Sequence, residues 1–329
     1  MIFKGDIIMK KLFIALSIVI LFIASCSSKK DNENISLLNS EVKKIGILQL
    51  VEHYALDQAN KGFVDGLKEA GYEDGKNVII DYQNAQGEQA NCVTISQKFI
   101  NDKVDLILAI ATPAAQAVAN LTKDIPILIT AVTDPADSKL VADNKMPGGN
   151  VTGTSDLTPV KEQMELLKKL IPNAKNVGFL YSSSEQNSKF QIDIAKAKAN
   201  ELGLSYVDAT VTTPNDLQQV VQSLVGKVDV IYVPTDNMVS AGMANVIGVT
   251  GPANIPVICG EAAMLNAGGL ATYGIDYYEL GKLTATQAVK ILKGESNPAD
   301  MPIEYMQNPV LEINTNAANK LGVTIPADL

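Results

Sequence analysis

The chain has 329 residues, 47% of them hydrophobic and 19% charged, with 36 acidic against 27 basic side chains. That length suggests about two domains with packed cores and excludes a disordered or collagen-like chain, while a net charge of −9 argues against a nucleic-acid binder, which needs a cationic face. Three cysteines make no disulfide framework, the single His (His53) excludes His-rich metal sites, and there is neither Trp nor Arg, since all 27 basic residues are lysine.

The N-terminus comes first in chain order. Residues 9–26 read MKKLFIALSIVILFIASC: two lysines, an apolar run from Leu12 to Ala24, then Ser25-Cys26. This is a positive n-region, an apolar h-region and a small-residue cleavage site, and the run is too short for a typical bilayer span of about 20 residues. Ile23-Ala24-Ser25-Cys26 resembles a bacterial lipobox, so residues 1–25 are expected to be a lipoprotein signal peptide with Cys26 lipidated. Residues 26–42 are rich in Ser, Lys, Asp and Asn and read as a flexible tether at the extracytoplasmic face of the cell membrane.

From Lys43 short apolar runs alternate with helical patterns, the βαβ signature of a parallel, doubly wound α/β sheet. Strands are expected at 45–50, 78–82, 105–110 and 127–132, with helices over 57–70, 89–102 and 113–122. A second series places strands near 177–181, 204–209, 229–233 and 256–259, with helices near 160–170, 187–202, 215–225 and 238–249. The two series match: Lys43-Lys44-Ile45-Gly46 resembles Lys175-Asn176-Val177-Gly178, displaced by 132, and Val104-Asp105-Leu106-Ile107 resembles Val228-Asp229-Val230-Ile231. That period is far too long for a solenoid and describes two similar lobes. A strand at 269–273 and an amphipathic helix over 278–293 follow. The expected division is 43–155 with about 276–300 in lobe I, 156–275 in lobe II, and 301–329 crossing back over both.

In open α/β sheets ligands bind beyond the carboxyl ends of strands, where helix N-termini point outward. Thr112-Pro113 reads as an N-cap followed by an N1 proline, an end that holds a carboxylate without a cationic side chain. Ser183 permits the same role in the second series, and plain capping is the competing reading for both. Asp236 and Asp276 are candidates for a ligand ammonium, with helix capping an even alternative for Asp236. Tyr54, Tyr273 and Tyr277 offer flat apolar faces, although such tyrosines also serve as core or lid residues. No Rossmann glycine fingerprint, Walker A, nucleophile-elbow or zincin motif is present. Cys92 lies within a helical pattern and Cys259 ends a strand, so no thiol pair faces a cleft and no catalysis, cofactor or metal is expected.

The sequence resembles solute-binding lipoproteins of ABC importers, in the group typified by tryptophan- and tyrosine-binding proteins of Gram-positive bacteria. The resemblance runs from Lys43 to the C-terminus. It rests on Glu52-His53-Tyr54-Ala55-Leu56-Asp57, Asn84-Ala85-Gln86-Gly87, Ala109 to Ala117, Thr133-Asp134-Pro135, Gly149 to Gly153, Pro234-Thr235-Asp236-Asn237 and Ala271 to Gly281. It implies a type I periplasmic-binding fold, a monomer whose lobes close on an L-amino acid, aromatic in this group, and whose loaded form docks on a membrane permease. Carried over, Thr112, Asp236, Asn237 and Asp276 are the binding candidates, with Asn187 and Glu261 behind them. The pattern has Pro after His in the first loop, and Tyr54 stands there instead. A sugar or nucleoside receptor and a surface adhesin on the same scaffold remain alternatives.

Overall fold

The structure is a computed structural model that describes residues 42–329. The expected signal peptide, Cys26 and all but the last tether residue lie outside the described residues. Among the described residues no helix is long and apolar enough to cross a membrane.

The first series folds as β1 (Lys43–Gln49), α1 (Tyr54–Glu69), β2 (Val78–Asn84), α2 (Gln89–Asn101), β3 (Leu106–Ile110), α3 (Thr112–Leu121), β4 (Ile127–Val132) and β5 (Val151–Ser155). The second comprises α4 (Val160–Leu170), β6 (Asn176–Ser182), α5 (Gln186–Glu201), β7 (Ser205–Val211), α6 (Leu217–Leu224), β8 (Val230–Val233), α7 (Asn237–Ala241), α8 (Met243–Thr250), β9 (Val257–Cys259), α9 (Ala263–Asn266) and β10 (Ala271–Gly274). Then come α10 (Tyr277–Leu292), β11 (Glu304–Tyr305), β12 (Val310–Ile313) and α11 (Thr315–Leu321). The central strands β3 and β4 are buried along their whole length, as continuous apolar runs covered by helices on both faces must be.

Two six-stranded sheets result, in the orders β11-β5-β4-β3-β1-β2 and β12-β10-β9-β8-β6-β7. The expected pair of similar parallel-sheet lobes is therefore what forms. The repeat has a physical counterpart: Asp105 accepts from the Lys44 N–H at 2.8 Å, and Asp229 accepts from Lys175 and Asn176 N–H at 2.8 Å each. Each aspartate thus holds the start of its lobe's first strand. The last two strands break the symmetry, because β11 joins β5 in parallel while β12 joins β10 antiparallel.

The chain passes between lobes three times, after β5, after β10 and between β11 and β12. The second crossing delivers α10 to the first lobe, where it lies against α1 with backbones nearly touching. A Cβ on Gly281 would stand 2.0 Å from the Ala59 carbonyl oxygen, and one on Gly62 would stand 1.9 Å from that of Tyr278. Only glycine permits that approach.

Three local expectations are corrected. Val151–Ser155 is a buried strand that the sequence pattern did not show. The single helix expected over 238–249 is divided at Gly242, where Leu217 packs so close that a Cβ would lie 2.4 Å from its Cδ2. Residues 215–225 form a short 3₁₀ turn (Pro214–Asp216) followed by α6.

Candidate functional site

The carboxyl ends of the two sheets face each other, and the lobes touch there through side chains. Thr133 Oγ1, after β4, lies 3.3 Å from Thr235 Oγ1, after β8. Gln191 of α5 donates to Thr235 Oγ1 at 2.6 Å and reaches Thr133 Oγ1 at 3.4 Å. His53 Nε2 stands 3.3 Å from Asn237 Oδ1. Farther out, Gln186 Nε2 donates to the Asp137 carbonyl at 2.6 Å, while Gln116 Nε2 donates to Gln186 Oε1 at 3.2 Å.

Thr112 begins α3 and is buried, but it is not the N-cap. That position belongs to Ala111, at φ 84°, ψ 152°, with no side-chain cap. A non-glycine residue rarely adopts this conformation, which costs of order 1–3 kcal/mol. The first-turn N–H groups of α3 are therefore left uncapped beside Thr112 Oγ1, which is itself buried without a hydrogen-bond partner. Ser183 is committed to the end of β7 instead, donating its N–H and hydroxyl to the Val211 carbonyl. The N-cap of α5 is Glu185, so the second lobe presents Glu185, Gln186 and Asn187 where Ser183 was expected.

Glu185 is the residue sequence reasoning missed. Although it is an N-cap, its carboxylate makes no cap bond to its own helix. It accepts from the Asn237 and Met238 N–H groups at 3.2 and 3.0 Å, and from the amides of Asn187 (3.1 Å) and Asn237 (2.5 Å). Burial raises its proton affinity, and the neighbouring Asp236 carboxylate adds to this. A displacement of 132 from His53, the N-cap of α1, is the signal that could have found it.

Asp236 is buried, and both its oxygens are occupied. Oδ1 caps α7 through the Val239 N–H at 2.8 Å, and Oδ2 accepts from the Ser182 N–H (2.6 Å) and the Ser188 hydroxyl (2.7 Å). Asp276 is exposed and caps α10 through the Tyr278 and Glu279 N–H groups. Both aspartates therefore cap helices, Asp236 with both oxygens occupied and Asp276 through Oδ1 alone. Glu261 is buried, held by Ser240 Oγ and the Ala263 N–H, and burial pushes it up to about 7. With Tyr54 and Asp276 it lines a cavity of about 590 Å³. Tyr54 is 59% exposed at this opening. Tyr273 packs against the second lobe's core, away from the position expected of it.

Tyr277 is buried. Its hydroxyl donates to Asp156 Oδ2 at 2.8 Å, and Thr133 Oγ1 donates to Asp156 Oδ1 at 3.1 Å. Asp156 lies in the first crossing and Tyr277 follows the second, so this bond ties two crossings together. Burial pushes Asp156 up to about 6, with the two hydroxyls pulling the other way. His53 is held down to about 4 by burial and is therefore neutral. Because the Asn237 Nδ2 faces Glu185, its Oδ1 takes the His53 Nε2 hydrogen, which leaves His53 Nδ1 as a bare acceptor.

Residues 44–329 match the family model described as ABC transporter substrate binding protein. The chain is 43% identical over 296 residues to a tyrosine-binding protein of Clostridioides difficile strain R20291, covering 90% of this chain and 86% of that one. It superposes on an ABC domain from Streptococcus pneumoniae in complex with L-Trp at a TM-score of 0.85 and 43% identity, over 88% of this chain and 97% of that one. A ligand-free, open substrate-binding protein with adhesive properties from Clostridium difficile aligns at 48% identity over 87% and 97% of the two chains, with a TM-score of 0.67. With the matched segment spanning both sheets and all three crossings, the chain belongs to the ABC transporter substrate-binding protein family.

Proposed function

We propose that this protein captures an L-amino acid with an aromatic side chain and delivers it to the permease of an ABC importer. It is a binding protein and not an enzyme. One observation carries the ligand class. Gln49 Oε1, His53 Nδ1, Thr112 Oγ1 and Asn187 Oδ1 are buried without partners, and all stand at strand ends or helix starts on the facing ends of the lobes. Buried polar atoms are ordinarily satisfied, so a set of them calls for a ligand. Three are acceptors and suit a cationic donor, while the hydroxyl sits at an uncapped helix N-terminus that suits a carboxylate. A zwitterion supplies both.

On this reading Thr112 and the first turn of α3 take the α-carboxylate. The α-ammonium goes to acceptors of the second lobe beside Asn187 and Asn237, in the field of the buried carboxylates Glu185 and Asp156. Asp236 supports that wall as a helix cap. The tyrosine-binding relative and the L-Trp complex support an aromatic side chain, with Tyr54 at the mouth. A ligand that bonds both lobes favours closure by differential affinity. Calorimetry with tyrosine, phenylalanine and tryptophan should show at least about micromolar binding, worth about 8 kcal/mol, and flat traces for all three reject the aromatic assignment.

The lipid anchor on Cys26, the extracytoplasmic location and the monomeric state belong to the same proposal. Fatty-acid labelling that survives Cys26→Ser would remove the anchor. The adhesive relative supports surface attachment as a second reading, tested by whether cells lacking the protein adhere as well as those that carry it.

A further inference from the structure

The amide of Asn187 has a fixed orientation. Its Nδ2 faces two acceptors, Glu185 Oε2 at 3.1 Å and the Thr235 carbonyl at 3.0 Å. The Thr235 carbonyl can only accept, so the nitrogen must point at it and Oδ1 must point away. That oxygen is buried and unpartnered, on a residue 3% exposed. Asn237 is arranged alike, with Nδ2 on Glu185 and Oδ1 turned to His53 of the other lobe.

Glu185 is the common element. An N-cap glutamate that only ended a helix would bond its own first-turn N–H groups, and this one bonds none of them. It reaches instead to the start of α7 and to both amides. We propose that Glu185 is the positioning residue for the ligand ammonium: it holds the amides of Asn187 and Asn237 nitrogen-inward, so that the Asn187 carbonyl oxygen is presented to a ligand N–H donor and the Asn237 oxygen to the opposite lobe. The inference rests on the amino-acid reading above and names the residue that enforces it.

Replacing Glu185 by Gln tests this directly. The Gln amide keeps one oxygen and loses the charge, so of the donors that the carboxylate now holds, the Met238 N–H on Oε1 and the Asn237 N–H and both Asn amides on Oε2, at least one must face an N–H instead, and the hold on the two amides is loosened. A residue with a merely structural role would weaken every ligand equally. A residue that orients an ammonium acceptor changes the preference for ligands carrying that ammonium.

The experiment is calorimetry of the whole protein and of Glu185→Gln and Asn187→Ala. Its probes are tyrosine, phenylalanine, tryptophan and the three 3-arylpropanoates that lack the ammonium, with melting curves to confirm folding. The unaltered protein should prefer each amino acid it binds over its arylpropanoate by at least about 100-fold, as expected when a buried acceptor loses its donor. Both variants should cut that ratio at least about tenfold while holding arylpropanoate affinity within about threefold. If Glu185→Gln does not fold, Asn187→Ala decides alone. A folded variant that keeps the full ratio overturns the positioning role and leaves the receptor reading standing. An unaltered protein that binds none of the three amino acids overturns the receptor reading, and this inference falls with it.

Discussion

His53 and Glu185 grip opposite ends of one amide: His53 Nε2 stands 3.3 Å from Asn237 Oδ1, and Glu185 Oε2 accepts from Asn237 Nδ2 at 2.5 Å. The two are separated by 132 residues, the displacement of the internal repeat, and each is the N-cap of the helix after its lobe's first strand. The same position has therefore become a neutral donor in one lobe and a carboxylate in the other. Replacing Asn237 by the similarly shaped Leu strips a donor from a buried carboxylate and an acceptor from a buried ring. The variant should lose about 2–4 kcal/mol of stability, read as a lowered urea midpoint at unchanged slope.

The contact between α1 and α10 is governed by backbone approach rather than by side chains. A methyl group on Gly281 would meet the Ala59 carbonyl at 2.0 Å and the Phe63 nitrogen at 2.8 Å, atoms that move only if a helix moves. Gly281→Ala should therefore cost more than its gain in helix propensity, about 1 kcal/mol, returns. A net loss of roughly 2 kcal/mol or more is expected from overpacking, measured by chemical denaturation. Gly71, with open space around its Cβ position, is a useful contrast: it sits at φ 91°, so any loss in Gly71→Ala reflects strain alone.

Buried carboxylates give the stability an unusual pH dependence. Burial pushes Asp156 up to about 6 and Glu261 up to about 7. A folded state that holds protons more tightly than the unfolded chain is favoured at low pH and loses that advantage as pH rises through the folded values. His53 acts oppositely. Lowered to about 4 from 6.5, it contributes stability above 6.5 that fades as pH falls toward 4. Glu261→Gln keeps both contacts, since the amide can accept from Ala263 and donate to Ser240, while it removes the titration. Relative to this variant, in which Asp156 still titrates and so cancels, the unaltered protein should lose roughly 1–3 kcal/mol between about pH 5 and about pH 8, with the decline concentrated between the ordinary glutamate value of 4.5 and the folded value of about 7. Urea curves across that range decide it, and a constant difference would contradict the burial of Glu261.

The elements legible in the sequence were those whose burial is all apolar. The runs of β1, β3 and β4 and their counterparts in the second lobe announce themselves, and the paired aspartates 105 and 229 mark the repeat. The strand Val151–Ser155 was hidden because its buried side chains are polar. Thr152 donates to the Met301 carbonyl, Thr154 to Thr130, and Ser155 to the Thr133 carbonyl, so hydrogen bonds replace the hydropathy signal. Thr112-Pro113 marked the start of α3 but gave the wrong cap, because the N-cap is Ala111 at φ 84°, a conformation that leaves no mark in composition. Asp236 and Asp276 were found by their place after strands. Whether a carboxylate caps a helix or waits for a ligand depends on which N–H groups surround it, and that is decided in three dimensions. Glu185 was missed for the same reason.

The lobes also meet through Gln186 at the outer edge. Gln186, from the second lobe, donates to the Asp137 carbonyl at 2.6 Å and to Asp137 Oδ2 at 3.1 Å, and accepts from Gln116 at 3.2 Å, both of them first-lobe residues. None of these atoms belongs to the set left for the ligand, so under the proposed closure the three bonds act on the equilibrium between open and closed lobes. Apparent affinity is the intrinsic affinity scaled by the closed fraction, and each such bond is worth about 0.5–1.5 kcal/mol. Gln186→Ala, which removes all three, should therefore weaken binding by at least about tenfold, through faster dissociation rather than slower association. Because the side chain is only half-buried, the unfolding free energy of the unliganded variant should stay within about 1 kcal/mol of the original. Stopped-flow dissociation paired with urea unfolding separates the two effects: a dissociation rate unchanged by Gln186→Ala would show that the outer edge does not hold the lobes together.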